Sequence, residues 1–214
     1  MTFAIETSSR QGSLALVRQG ELIWEGSFES DRAHNSVIFE PLQEALEACG
    51  GAENLTRIVV GRGPGTYSGV RVGIAVANAL AIAGGGTVLG WLSTAAFPDD
   101  TGSYLVVSDA RRQTFSACEV VDRAIGSFDL ISREAVEARM AQYPGPVYTV
   151  DPAVAEWSRA RIAAPLASKL ALEVDRWPES RVREVASQPL EPHYLRPPFI
   201  TMSKKPGANP AAAS

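Results

Sequence analysis

The chain has 214 residues, 45% of them apolar and 21% charged, with a formal charge of −4. That is enough for one large or two small domains with real cores, and too apolar for disorder over most of its length. The charge is uneven: residues 1–100 hold 6 Lys/Arg against 11 Asp/Glu and residues 101–214 hold 14 against 13, so the amino half is poorly suited to grip a nucleic-acid backbone by itself. Cys49 and Cys118 have no CxxC or Cys/His spacing, and they read as small core residues in a reducing compartment. No basic stretch followed by an apolar run opens the sequence, so a cytoplasmic protein is expected. The weakly polar run 72–92 contains Asn78 and five glycines, which makes it a buried helix and strand rather than a membrane span.

The first thirty residues alternate as half-buried antiparallel strands do, over 2–7, 12–17 and 21–28, with Arg18-Gln19-Gly20 as the tight turn between the last two. Val37, Ile38, Leu42, Ala45, Leu46 and Cys49 then fall at helical spacing, and Gly50-Gly51 closes that helix. Pro41 removes one donor and is expected to start or kink a turn there. A short strand over 56–60, a loop over 61–67, a helix over 68–83 and a strand over 87–90 complete an α/β half with a mixed sheet. The polar, turn-forming stretch 97–102 divides the chain into lobes 1–97 and 98–202, ahead of a flexible tail 203–214. The second lobe restarts with strands over 103–108 and 114–121. A helix over 132–142, a strand over 147–150 and helical pieces near 153–157 and 165–174 follow.

Two segments carry candidate chemistry. Glu6-Thr7-Ser8-Ser9 ends the first strand, where an acid followed by hydroxyls can hold a hydrated metal and offer donors to phosphate; a plain Ser/Thr turn reads the same way. Gly61-Arg62-Gly63-Pro64-Gly65-Thr66-Tyr67-Ser68-Gly69-Val70-Arg71-Val72-Gly73 joins a strand to a helix, with Thr66 or Ser68 as cap and free N–H groups that favour an anion. It has neither the Walker Lys-Ser/Thr pair nor the dinucleotide spacing. Gly69, Gly73 and Ala77 recur every four residues, a stripe without bulk that serves either tight packing inside the domain or an approaching partner helix.

Other polar residues have ordinary explanations beside functional ones. Arg71 lies near the positive end of its helix and calls for a compensating carboxylate or anion. Asp109-Ala110-Arg111-Arg112 is either a phosphate contact or a charged turn. His34 and His193 form no HxxxH or HExxH pattern and no GxSxG elbow is present, which argues against a protein-borne metal site and a serine hydrolase. Pro192-His193-Tyr194-Leu195-Arg196-Pro197-Pro198 reads as an extended arm packed back on the body through Tyr194 and Leu195.

Taken together, the opening Ala4-Ile5-Glu6-Thr7-Ser8-Ser9, the His34 helix start, the Gly61–Gly73 segment, Asp109-Ala110-Arg111-Arg112 and Pro192-His193-Tyr194-Leu195-Arg196 resemble the bacterial TsaB (YeaZ) family over nearly the whole chain. The resemblance implies a two-lobed α/β fold of the actin, sugar-kinase and Hsp70 (ASKHA) type with mixed sheets and a reduced second lobe. It implies a non-catalytic scaffold that heterodimerises with TsaD. The complex binds TsaE and places threonylcarbamoyl on the adenosine beside the anticodon (t6A) in tRNAs reading A-starting codons. The helices over 34–48 and 68–83 would make the TsaD contact, at His34, Ile38, Leu42, Ala45, Gly69, Val70, Gly73, Val76, Ala77 and Leu80. Glu6, Thr7, Ser8, Gly63, Gly65 and Thr66 would be a degenerate nucleotide or phosphate region. No metal or cofactor is expected in this chain, with ATP or ADP left to the interface of the complex. Self-association through the same helices when TsaD is absent stays open. Rival readings are a nucleotide-binding or ATP-hydrolysing sugar-kinase-like enzyme and a peptidase acting on TsaD. Glu6 stands where many relatives have Asp, which weakens hydrolysis. Any secondary tRNA contact is expected at Arg111, Arg112 and Arg196.

Overall fold

The computed structural model describes residues 1–30 and 35–195. The expectations placed on His34, Arg196 and the tail 203–214 lie outside those residues. The first five-stranded sheet has the order β3-β2-β1-β4-β5, built from β1 (Thr2–Glu6), β2 (Gln11–Arg18), β3 (Glu21–Glu29), β4 (Arg57–Gly61) and β5 (Thr87–Trp91). β1 and β2 pair antiparallel, as do β2 and β3, whereas β4 and β5 continue parallel. Every residue of β1 is buried, because neighbours pair on both edges and both faces are covered.

Strand alternation sorts the core by size. Phe3, Ile5, Leu14, Leu16, Ile58 and Val60 point toward α1 (Phe39–Cys49) and α2 (Tyr67–Gly84), where Ile38, Ala45, Ala77 and Leu80 meet them. Ala4, Ala15, Val17, Val59 and Leu89 point to the opposite face, where α5 (Ala167–Asp175) meets them through Leu170, Ala171 and Val174. The alanines there let α5 approach the sheet closely. A 3-10 turn over Asn35–Ile38 leads into α1, which leaves Pro41 in the first turn where its missing N–H has no intrahelical partner to lose.

The second sheet repeats the first. Its order β10-β9-β6-β7-β8, read backwards, is one antiparallel meander, β6 (Tyr104–Asp109), β7 (Phe115–Val121) and β8 (Ala124–Ile131), followed by parallel β9 (Val147–Thr149) and β10 (Arg161–Ile162). All five strands are therefore present, although β9 has three residues and β10 two. β8 and β10 escape the periodicity argument. The β7–β8 turn is made by Asp122 and Arg123 at φ of 48° and 67°, without the glycine that marks such hairpins in sequence. α3 (Arg133–Gln142) and the short α4 (Pro152–Ala155) cover the face formed by Leu105, Val107 and Ala117.

One structural difference concerns the lobe boundary at 202. α5 and α6 (Glu179–Ala186) return to the first sheet instead of staying with the second. Arg57 at the start of β4 fixes this return: its guanidinium donates to the carbonyls of Val174, Asp175 and Trp177, and it pairs with Glu179. Asp175 accepts from the Thr2 hydroxyl at 2.7 Å and from the Gly20 amide at 2.7 Å. Trp177 packs edge-on against Trp91 at 4.7 Å, with Arg181 over its ring. The sequence reading has no α6, whose residues 179–186 are half charged and give only Val182 and Val185 to the core.

Candidate functional site

The end of β1 is where a phosphate or metal would be held in the functional reading of Glu6-Thr7-Ser8-Ser9. The structure brings Glu6, Thr7, Ser8, Gly63, Gly65 and Thr66 together there, but their polar groups are turned on one another. Glu6, Thr7, Ser8 and Ser9 are all buried. The Ser8 amide donates to Glu6 Oε1 at 2.6 Å, and the Thr7 hydroxyl donates to the Gly69 carbonyl at 2.8 Å. The Thr66 amide donates to the Ser8 carbonyl at 2.7 Å, and the Gly63 amide donates to Ser93 Oγ at 3.1 Å. Gly65 and Gly69 are glycines because a β-carbon at either would collide with the carbonyl of Ser8 or Thr7. The loop between β4 and α2 thus lies directly on the turn between β1 and β2.

Glu6 itself is fully buried, with Oε2 lacking a hydrogen-bond partner and lying against Gly61. Burial pushes its carboxyl above the usual range, and bonds from Ser8 oppose the shift. Burial thus disfavours the charged carboxylate that a metal ion would need. Among the described residues no group of three or more His, Cys, Asp or Glu could hold a metal ion.

The stripe Gly69, Gly73 and Ala77 faces inward, the tight-packing alternative of the two that the sequence leaves open. Ile38, Ala45, Val70, Gly73, Ala77 and Leu80 are buried in the first lobe, while Leu42, Gly69 and Val76 are half-buried. The missing bulk lets α2 lie close on β1 and β4: a β-carbon at Gly73 would collide with Thr7 Oγ1 and lie 3.2 Å from Val60 Cγ2. Helical period then turns the other side outward. Of the 18 residues of α2, only Val70, Gly73, Ala77 and Leu80 are buried. Ala75, Asn78, Ala79 and Ala83 are exposed, Ile82 is 88% exposed, and Phe39 at the start of α1 is 60% exposed.

By length and composition α2 is also apolar enough to cross a membrane. Its buried residues, however, are part of the core around Ile5, Ile58 and Val60, which such a span would dismantle.

Arg71 has no carboxylate partner among the described residues, contrary to the simplest expectation. Its guanidinium lies 4.0 Å from the centre of the Tyr67 ring, and its Nε donates to the Tyr194 hydroxyl at 3.0 Å. The hydroxyl bond raises its pKa further. Tyr194 comes from the extended arm, which packs back on the body as expected. The His193 amide donates to the Arg62 carbonyl at 2.7 Å and the His193 ring lies 4.9 Å from that of Phe128 on β8. Burial, helped by Arg62, lowers the His193 pKa.

In the second lobe, Asp109-Ala110-Arg111-Arg112 forms a charged turn. The Asp109 carboxylate accepts from the Arg111 amide at 2.7 Å and lies 3.6 Å from the Arg111 guanidinium. The Asp109 amide donates to Asp151 at 2.8 Å, and burial beside Asp109 raises the Asp151 pKa. Arg111, Arg112 and Gln113 all have positive φ.

Two sheets of identical topology define the class: a two-lobed α/β protein of the actin, sugar-kinase and Hsp70 type, in which the turn at the end of β1 is closed by its own loop. Residues 28–146 match the model of the family described as TsaD: tRNA N6-adenosine threonylcarbamoyltransferase. An uncharacterized protein of Mycobacterium tuberculosis is 33% identical over 153 residues, 69% of each chain. The tRNA threonylcarbamoyladenosine biosynthesis protein TsaB of Bacillus subtilis is 35% identical over 79 residues, 36% of this chain and 34% of that protein. The match thus spans about a third of that curated relative. The crystal structure of YeaZ from Pseudomonas aeruginosa superimposes with a TM-score of 0.66 at 22% identity, covering 91% of this chain and 99% of that one. The chain belongs to the family that the TsaD model describes, and the curated and structural likenesses support TsaB (YeaZ) within it.

Proposed function

We propose that this chain is a non-catalytic scaffold subunit for threonylcarbamoyl transfer to the adenosine beside the anticodon in tRNAs reading A-starting codons. It acts by forming a heterodimer with TsaD through the outward face of α2. The observation that carries the reading is the exposure of Ala75, Ala79, Ile82 and Ala83 on a helix whose other face is already in the core. An apolar helix face left in water is the signature of a covered partner surface. The closed turn at Glu6, Thr7 and Ser8 supports the non-catalytic part, because its donors are consumed inside the chain. TsaE and tRNA join through the complex, ATP or ADP is held at the heterodimer interface, and the protein works in the cytoplasm.

Size-exclusion chromatography and calorimetry with TsaD from the same organism test this. Co-elution of the two chains, and loss of it in Ile82→Glu, are expected; two folded chains that elute separately overturn the reading. Calorimetry with ATP and magnesium addresses the sugar-kinase-like rival, which requires tight binding and turnover by the isolated chain. On the peptidase reading, the one histidine among the described residues, His193, packs on Phe128 and forms no hydrogen bond with a serine or cysteine there, while His34 lies outside those residues.

A further inference from the structure

We propose that Arg71, held in place by Tyr67 and Tyr194, is the charged anchor of the outward face of α2 and receives a carboxylate from the docked protein subunit. The inference rests on the reading of α2 as a docking helix and specifies the charge that the partner must bring.

Arg71 is the one charged residue between 67 and 84. It lies near the positive end of the helix, where the dipole disfavours a cation, and no carboxylate among the described residues offsets it. Its Nε is committed to Tyr194 and its guanidinium neighbours Tyr67, and no carboxylate among the described residues pairs with its terminal nitrogens. Tyr67 and Tyr194 stack at 5.4 Å and 18°, with the guanidinium 4.0 Å from the centre of the Tyr67 ring. Such packing fixes a long side chain before any partner arrives, so less rotamer freedom is lost on binding. Tyrosine and arginine are also the residue types that dominate interface energies.

Arg71 is in register with the exposed apolar face. Residues 71, 75, 78 and 82 follow one another at intervals of four, three and four, and all four are exposed. A partner that covers Ala75 and Ile82 therefore also covers Arg71, and burying an unpaired guanidinium carries a large penalty. A single carboxylate removes it. An RNA backbone fits less well, because α1 exposes Glu40, Glu44 and Glu47 and residues 1–100 carry an excess of acids.

Tyr194 is a positioning residue, 123 positions away in sequence. The arm that delivers it is fastened by the His193 amide on the Arg62 carbonyl and by Leu190 against the first-lobe core. The arm thereby becomes part of the docking surface.

Calorimetry of the full chain with TsaD, repeated at two salt concentrations, tests the proposal. Arg71→Met is expected to weaken binding about tenfold or more and to flatten its salt dependence. Arg71→Lys is expected to restore little, since an ammonium cannot both stack on Tyr67 and offer a fork. Tyr194→Phe, which keeps the ring and removes the acceptor, is expected to give a smaller weakening at unchanged thermal stability. Wild-type affinity and salt dependence in Arg71→Met, with Ile82→Glu still disruptive, overturn this proposal and leave the docking reading standing. Unchanged TsaD affinity with weaker tRNA binding by the complex assigns Arg71 to a phosphate and also overturns it. Failure of the unaltered chain to bind TsaD overturns both.

Discussion

Gly73 on α2 faces the hydroxyl of Thr7 so closely that a β-carbon at position 73 would collide with it. The same hydroxyl donates to the Gly69 carbonyl at 2.8 Å, one turn earlier on the helix. The small stripe of α2 is therefore a seat for the end of β1, and its mutational consequences belong to folding.

Gly73→Leu is expected to destabilise the chain by about 1–3 kcal/mol or more, the usual range for overpacking a core. Even Gly73→Ala should lower the urea midpoint. The double variant Thr7→Ala/Gly73→Ala is expected to lose less than the sum of its parts, because the colliding oxygen is gone. Strict additivity in urea denaturation would show that the two residues do not meet.

Ile82→Glu probes the opposite side of the same helix. At 88% exposure the side chain contributes little to the folded chain, so its stability should change by no more than about 0.5 kcal/mol. Association with TsaD, by contrast, should fall about tenfold or more. A melting temperature that drops with binding preserved would place Ile82 in the core.

Glu6 sets a pH dependence whose sign follows from its burial. Its folded carboxyl titrates above the ordinary value of 4.5, so the folded state holds a proton that the unfolded state has released. Its contribution to stability is accordingly complete below that ordinary value and is lost as pH rises toward the folded pKa. Glu6→Gln retains the acceptor for the Ser8 amide and removes the titration. Denaturation curves from pH 4 to pH 8 are expected to show the variant gaining on the wild type as pH rises; parallel curves would mean that Glu6 is ionised in the fold.

Arg57 is the clasp of the carboxy-terminal helices. Arg57→Met leaves three carbonyls, of Val174, Asp175 and Trp177, without their donor in a site where the arginine side chain is only 16% exposed. A loss of about 2 kcal/mol or more is expected in chemical denaturation. Trp177, edge-on against Trp91, should report it by fluorescence. Glu179→Gln should have a much smaller effect, since that carboxylate is mostly in water.

The sequence alone determined the elements with a strong period and distinctive punctuation. Alternation over Thr2–Glu6 and Gln11–Arg18, the turn at Gln19-Gly20, and the glycine loop before α2 are local properties that need no partner to be read. The family resemblance grouped Glu6, Thr7, Ser8, Gly63, Gly65 and Thr66, and the fold brings the two segments that hold them together. What the sequence did not decide was direction. A helix that is small or apolar nearly all round, as α2 is apart from Arg71 and Asn78, says little about which side faces in; the closeness of Gly73 to Thr7 and Val60 settles that. The partners of Arg71, the clasp of Arg57 on α5 and α6, and the hairpin at Asp122-Arg123 likewise depend on chain segments brought together only in the fold, or on backbone angles that residue type does not announce. The exposed face of α2 could be named only after packing had assigned the other side of the helix to the core.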